Sequence, residues 1–267
     1  MPITSPISVR PISQEEFARL DYEVMRHAFA SQNELGRLCD EVIYQNDLAA
    51  RLQNAGFGPV RTEVPVTVTH RDFSKTFSLD FVIGEAAIYE FKTAANLVGE
   101  HDAQLLNYFF LMNATRGKLV NFRPAQVESK FVNSALTPAE RYRFKPDTRR
   151  WVENDDPGKF LRTRLLELLA DWGAFLELSL YTEALTHFLG GEQNVLRSIQ
   201  LTRAGVLLGN QRMHLLTPDT AFRLTALPDA AENFEPHLHS LLCHSPLRAI
   251  QWINLARHEI QFVTLNK

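Results

Sequence analysis

The sequence predicts an α/β protein in which one core, in the order helix, three strands, helix, strand, occurs twice. Three observations carry this expectation. A proline-free stretch from Phe17 to Gln53 spaces Leu20, Val24, Phe29, Leu35, Leu38, Ile43, Leu48 and Leu52 by mixed steps of about one helical turn. Three strand-like segments follow it closely, joined by short turn signals. Residues 160–267 then run through the same order again.

The first helix is expected to break near Ser31-Gln32-Asn33, whose polar side chains could cap a second helix, and to end at Ala55-Gly56-Phe57-Gly58-Pro59. Thr62–Thr69, Thr76–Ile83 and Ala87–Thr93 read as strands, the last two joined in a hairpin at Gly84-Glu85-Ala86. His101–Asn113 reads as a helix and Lys118–Phe122 as a short strand. Residues 136–159 are polar, carry Pro138, Pro146 and Pro157, and are expected to be a linker between domains 1–135 and 160–267. The second half offers a helix over Phe160–Glu192 and strands at Leu196–Leu208, Arg212–Leu216 and Ala221–Leu227. A helix at Glu235–Cys243 and strands at Arg248–Leu255 and Glu259–Leu265 close it.

The composition narrows the function classes. With 45% hydrophobic and 22% charged residues the chain affords a packed core. Its 28 basic and 31 acidic residues exclude a globally basic nucleic-acid binder, so a polyanion site must come from local clustering. Cys39 and Cys243 make neither a disulfide framework nor a zinc spacing, and Cys39 reads as an inert thiol. No apolar run is long enough to span a bilayer and the N-terminus lacks signal-peptide character, so a cytoplasmic protein without a membrane partner is expected.

Chemistry concentrates in the first hairpin. Asp80 lies inside Ser78-Leu79-Asp80-Phe81-Val82-Ile83, and Glu90 and Lys92 lie inside Ile88-Tyr89-Glu90-Phe91-Lys92. Side chains alternate along a strand, so Glu90 and Lys92 share a face. A three-residue turn at Gly84-Glu85-Ala86 brings Asp80 opposite Glu90, whereas a two-residue turn would put them on opposite faces. Two carboxylates beside an ammonium suit Mg2+ or Mn2+. An ordinary exposed Glu/Lys pair is the alternative. Glu41 stands three residues before Tyr44, and Gln104 four before Tyr108, each pair on one helix face.

With these residues in order, the chain resembles the GxxExxY family of the PD-(D/E)XK nuclease superfamily, whose core is the RecB-like and Cas4-like nuclease fold. Leu35-Gly36-Arg37-Leu38-Cys39-Asp40-Glu41-Val42-Ile43-Tyr44 is similar to its glycine, glutamate and tyrosine stretch. Asp80 matches the second-strand aspartate, Glu90-Phe91-Lys92 the Glu-x-Lys pair, and Gln104-Leu105-Leu106-Asn107-Tyr108 the Gln-x-x-x-Tyr helix. Leu38 stands where the family has the glycine three before the glutamate. The resemblance implies a metal-dependent nuclease acting on DNA. It makes Glu41, Asp80, Glu90 and the Phe91 carbonyl the ligands of Mg2+ or Mn2+, Lys92 the group acting on the attacking water, and Gln104 a residue that positions the lysine or a phosphate. Tyr108 either contacts the nucleic-acid backbone or packs.

The second half would then be a degenerate copy. Tyr181 and Gly173 answer to Tyr44 and Gly36, while His214, Arg223, Thr225 and His237 fall approximately at the places of Asp80, Glu90, Lys92 and Gln104. No carboxylate remains there, so a pseudo-nuclease half is expected. Arg141-Tyr142-Arg143-Phe144-Lys145 interleaves cations with aromatics, which makes Arg141, Arg143 and Lys145 candidates for nucleic-acid contact, a solvated linker being the alternative. The acidic balance favours single strands or ends over a broad duplex face. An idle nuclease-fold platform for nucleic acid or protein is the rival reading, and a homodimer or protein complex remains open.

Overall fold

The computed structural model describes residues 2–153, 156–229 and 231–267. Its contacts divide the chain into two compact units, Met1–Thr69 with Ser74–Pro138, and His70–Phe73 with Ala139–Lys267.

In the first unit a short strand β1 (Ile3–Thr4) precedes two helices, α1 (Gln14–Leu35) and α2 (Glu41–Asn54). Ser13 caps α1 by accepting from the Glu16 amide at 3.1 Å, and Glu15 and Glu16 suit the positive end of the helix dipole. The helix does not break at Ser31-Gln32-Asn33. Gln32 stays helical because its buried amide donates to the Phe122 and Pro124 carbonyls at 2.8 and 3.0 Å. The break comes at Gly36, whose φ of 74° takes the chain out of the helix at no Cβ cost.

Strands β2 (Val60–His70), β3 (Phe73–Ile83) and β4 (Ala87–Lys92), helix α3 (Gly99–Met112), and strands β5 (Arg116–Asn121) and β6 (Glu128–Asn133) complete this unit. The sheet order is β1-β2-β3-β4-β5-β6. β4 runs antiparallel to β3 and parallel to β5, with α3 as the crossover. Ile83 pairs with Ala87 and Phe81 with Tyr89, which is the register of a three-residue turn. Gly117 on β5 is required by close packing: a Cβ there would meet the Ile88 carbonyl at 2.6 Å and the Phe109 ring at 2.8 Å. The core gathers Tyr44, Phe81, Tyr89, Phe91 and Phe122, with Tyr44 stacked on Phe122 at 4.4 Å.

Residues 136–159, expected as a linker, instead carry helix α4 (Pro138–Arg141) and strand β7 (Lys145–Arg150). β7 is an edge strand pairing only with the last strand of the chain, which tolerates Pro146 and its exposed polar side chains. The single helix expected over 160–192 is two, α5 (Asp156–Trp172) and α6 (Leu178–Phe188), separated by Gly173 with φ 79°. After the turn α7 (Glu192–Val195), the strand expected over 196–208 is a hairpin of β8 (Leu196–Arg203) and β9 (Val206–Thr217). β10 (Thr220–Thr225), α8 (Ala231–Cys243), β11 (Ala249–Ala256) and β12 (Glu259–Asn266) follow, in the sheet order β7-β12-β11-β10-β9-β8.

The second unit therefore repeats the topology of the first over β8–β12, matching β2–β6, while β7 adds to the edge opposite the one that β1 takes. β10 and β11 are parallel across α8, as β4 and β5 are across α3. Two side-chain devices recur as well. The Tyr44 hydroxyl donates to the Gly36 carbonyl at 2.6 Å, and that of Tyr181 to the Gly173 carbonyl at 2.6 Å. Asn121 closes a two-way bond with the Ala94 backbone, and Asn254 does the same with Leu227.

Candidate active site

The site lies where β3 and β4 leave their ladder beside the first turn of α2. Past the Phe81–Tyr89 rung the Asp80 side chain replaces a backbone partner: its Oδ2 accepts from the Phe91 amide at 2.8 Å. Glu90 and Lys92 sit on the same face of β4, and the Lys92 Nζ donates to Glu90 Oε1 at 2.7 Å. Glu41 opens α2 and interacts electrostatically with Lys92 and Asp80. The fold thus brings Glu41, Asp80, Glu90 and Lys92 together from three elements.

Burial sets the charge state of the group. Glu90 is completely inaccessible, and burial, reinforced by Asp80 and Glu41 and opposed by Lys92, pushes its carboxyl up to about 8. No donor reaches its buried Oε2, and while it holds its proton the carboxyl hydrogen-bonds to Asp80. Burial also raises Asp80, against the Phe91 amide and Lys92. It raises Glu41 too, against the pull of Lys92. For Lys92 burial acts downward, but Glu90, Asp80 and Glu41 outweigh it and its ammonium holds its proton more tightly than a free lysine.

Among the described residues, no three His, Cys, Asp or Glu side chains already stand at metal-holding distance. The donor set nevertheless fits a hard divalent cation. Three carboxyls share one ammonium, and once Glu90 loses its proton its buried Oε2 needs a partner that Lys92 does not supply.

Other expected residues are placed differently. Gln104 donates its amide to the Tyr108 hydroxyl at 3.2 Å, and Lys92 is not among its partners. Tyr108 is buried, as is the Phe91 side chain. Arg141, expected to face a phosphate backbone, is also buried. Its guanidinium donates to the Trp172 carbonyl at the end of α5, and burial pushes its pKa down. Arg143 and Lys145 are exposed and line a groove of about 540 Å³ with Arg149 and His258 in the second unit.

Gln45 and Glu63 escaped the sequence reading. Gln45 is buried four residues after Glu41, and its amide donates to the Asp80 carbonyl and, at 3.0 Å, to Glu63. A polar residue one turn after Glu41 on the buried face of α2 was the available signal. The Ser78 hydroxyl also donates to Glu63, at 2.6 Å.

In the second unit the equivalents of Glu90 and Lys92 are Arg223 and Thr225, as their common register against β5 and β11 shows. Asp80 answers to Met213 and not to His214, because Phe222 pairs with His214 as Tyr89 pairs with Phe81. The irregular pairing between Thr220 and Ala221 hides this one-residue difference in the sequence. No carboxylate stands at those positions.

The arrangement is two strand carboxylates and a lysine beside a helix glutamate. Residues 18–132 match the family model of the PD-(D/E)XK nuclease superfamily. No curated protein sequence matches the chain. A solved chain, the crystal structure of SSO0001, aligns with 22% identity and a TM-score of 0.29 over 46% of this chain and 62% of that one. Among the described residues no helix is long and apolar enough to cross a membrane.

Proposed function

We propose that the chain hydrolyses phosphodiester bonds in DNA with the help of Mg2+ or Mn2+, as a member of the GxxExxY family, through the site at Glu41, Asp80, Glu90 and Lys92. The observation that carries the reading is the buried Glu90, with an orphaned oxygen beside Asp80 and an ammonium. A fold keeps such uncompensated burial at a cost, and a catalytic cation would relieve it.

Glu41, Asp80, Glu90 and the Phe91 carbonyl would hold the metal, which when bound polarises a phosphoryl oxygen and acidifies water. The chain's own residues do the rest. Asp80 is fixed on β4 by the Phe91 amide, so its free carboxylate oxygen is pre-aimed. Lys92 is a poor proton acceptor while its ammonium is stabilised, so its role is electrostatic: it orients the attacking water and neutralises charge growing on the phosphate. Glu90 would hold a cation only as the carboxylate, through Oε2, while Oε1 keeps the Lys92 ammonium, which favours the deprotonated form. Gln45 holds the Asp80 backbone, and Gln104 would position the lysine or a phosphate only after leaving the buried Tyr108 hydroxyl to which it donates.

On this reading domain 1–135 carries the chemistry and domain 160–267 is a pseudo-nuclease, with Arg143 and Lys145 offering a cationic track for single strands or ends. The test is cleavage of labelled single- and double-stranded DNA and RNA with Mg2+, with Mn2+ and with chelator, comparing native protein and Lys92→Ala. Metal-dependent cutting lost in the variant supports the site. An absence of both cutting and calorimetric metal binding overturns it in favour of an idle platform.

A further inference from the structure

The β8–β9 hairpin is built unlike the rest of this acidic chain. Between Glu192 and Asp219 the only formally charged side chains are Arg197, Arg203 and Arg212. The ribbon is buried toward its base at Ile199 and Met213, and its β8 strand is tied almost to the turn, where the Thr202 amide donates to the His244 carbonyl at 2.8 Å. The β9 strand beside that tie is bare. Val206, Leu207 and Leu208 are 61, 56 and 61% exposed, next to the tight turn Ala204-Gly205. Leu201 pairs with Gly209 and Thr202 with Leu207, so Leu208 is the extra residue of a bulge that turns the tip aside. Three consecutive exposed aliphatics are a liability in a soluble chain unless something covers them.

We propose that this hairpin is a nucleic-acid grip that seats on a duplex near its end. Arg212, on the exposed face with Gln200 and Asn210, and Arg203 beside the turn would lie along phosphates, and Val206–Leu208 would press against the bases of the terminal step. A two-stranded ribbon fits a duplex groove, and apolar side chains flanked by cations are the means by which proteins wedge base steps apart. The exposed amides of Gln200 and Asn210 face the same solvent and suit base edges. Arg203 has no ion-pair partner among the described residues, and Arg212 has only the exposed Glu192 at 3.3 Å. Self-pairing of two such hairpins would set arginine against arginine, which disfavours a second copy as the occupant. The proposal rests on the nuclease reading but concerns residues of the second unit, none of them catalytic.

The experiment uses the full chain in chelator, so that binding is read without cutting. Fluorescence anisotropy of a labelled duplex with a single-stranded tail is followed against salt, with 2-aminopurine at the terminal step reporting unstacking. Arg203→Ala should lower the salt slope by about one. The pair Leu207→Ser with Leu208→Ser should weaken binding about tenfold and lose the 2-aminopurine signal. Binding by the native chain that both variants reproduce in affinity, slope and signal overturns the grip and leaves the nuclease reading standing. A dimer in sedimentation that the leucine variant dissociates, with nucleic-acid binding unchanged, overturns it in favour of a second copy. A native chain that binds no nucleic acid overturns the grip and the reading beneath it together.

Discussion

The Asp80 carboxylate takes the Phe91 amide at 2.8 Å, in the place where the ladder between β3 and β4 would otherwise continue. The bond ties the second-strand acid directly to the strand that carries Glu90 and Lys92. It also separates the acceptor oxygen of Asp80, which is structural, from its charge, to which the proposed function gives the chemistry.

Asp80→Asn keeps an oxygen that can accept from Phe91 and removes the charge. We expect cleavage to fall by about a hundredfold or more, with the melting temperature nearly unchanged. Asp80→Ala should lose both, since an unpaired amide at this depth costs about 1–3 kcal/mol. Urea unfolding run beside the cleavage assay separates the two variants. Equal loss of stability in both would mean that Asp80 serves structure alone.

Glu90 makes stability depend on pH in a defined direction. Its carboxyl is raised to about 8 in the folded chain, above its ordinary value, so the fold retains a proton that the unfolded chain has released. Stability from this group is full below the unfolded pKa and is lost as pH rises toward about 8. In chelator, Glu90→Gln should therefore melt higher than native protein at pH ~8.5, by roughly 3 °C or more, and no higher at pH ~4. Added Mn2+ should raise the native melting temperature more at the higher pH, where no proton has to be displaced, and leave the variant unmoved. Scanning fluorimetry at the two pH values reads both effects.

Behind the site, the Lys118 ammonium meets Asp21 at 2.6 Å, lies 4.1 Å from the Phe131 ring centre, and has almost no access to water. Asp21→Ala leaves that charge buried without its partner, at a cost of about 3–5 kcal/mol. The double variant Asp21→Leu with Lys118→Met should recover most of the loss. A double variant as unstable as the single one would show that the pair is not what holds α1 to the sheet.

The hairpin was legible because strand alternation and turn length are local facts: Asp80, Glu90 and Lys92 needed only a parity rule to share a face. Where the sequence misled, a distant partner was responsible. Ser31-Gln32-Asn33 looks like a helix end until Gln32 meets carbonyls at Phe122 and Pro124. Arg141 belongs to a basic run on paper, yet its partner is the Trp172 carbonyl. Lys145–Arg150 has no apolar alternation because an edge strand with solvent on its faces needs none. Gln45 could have been read from its helix face, but its target, the Asp80 carbonyl, could not.

The paired tyrosines give a final test with a difference in magnitude built in. Each hydroxyl closes the loop between two helices by donating to a glycine carbonyl eight residues earlier. Gly36 is exposed, so water can replace the Tyr44 hydroxyl, whereas Gly173 is buried and its carbonyl would be stranded. Tyr181→Phe should therefore cost about 1–3 kcal/mol, and Tyr44→Phe nearer 1 kcal/mol or below. Activity should follow the opposite order. Tyr44 also accepts from the Cys39 amide at 3.3 Å and so fixes the approach to Glu41, while Tyr181 supports a unit without carboxylates at the corresponding places. Chemical denaturation and cleavage rates measured on both variants check the crossing. A Tyr181→Phe protein that loses more activity than Tyr44→Phe, at matched folded fraction, would place chemistry in the second unit and contradict the assignment of the site to Glu41, Asp80, Glu90 and Lys92.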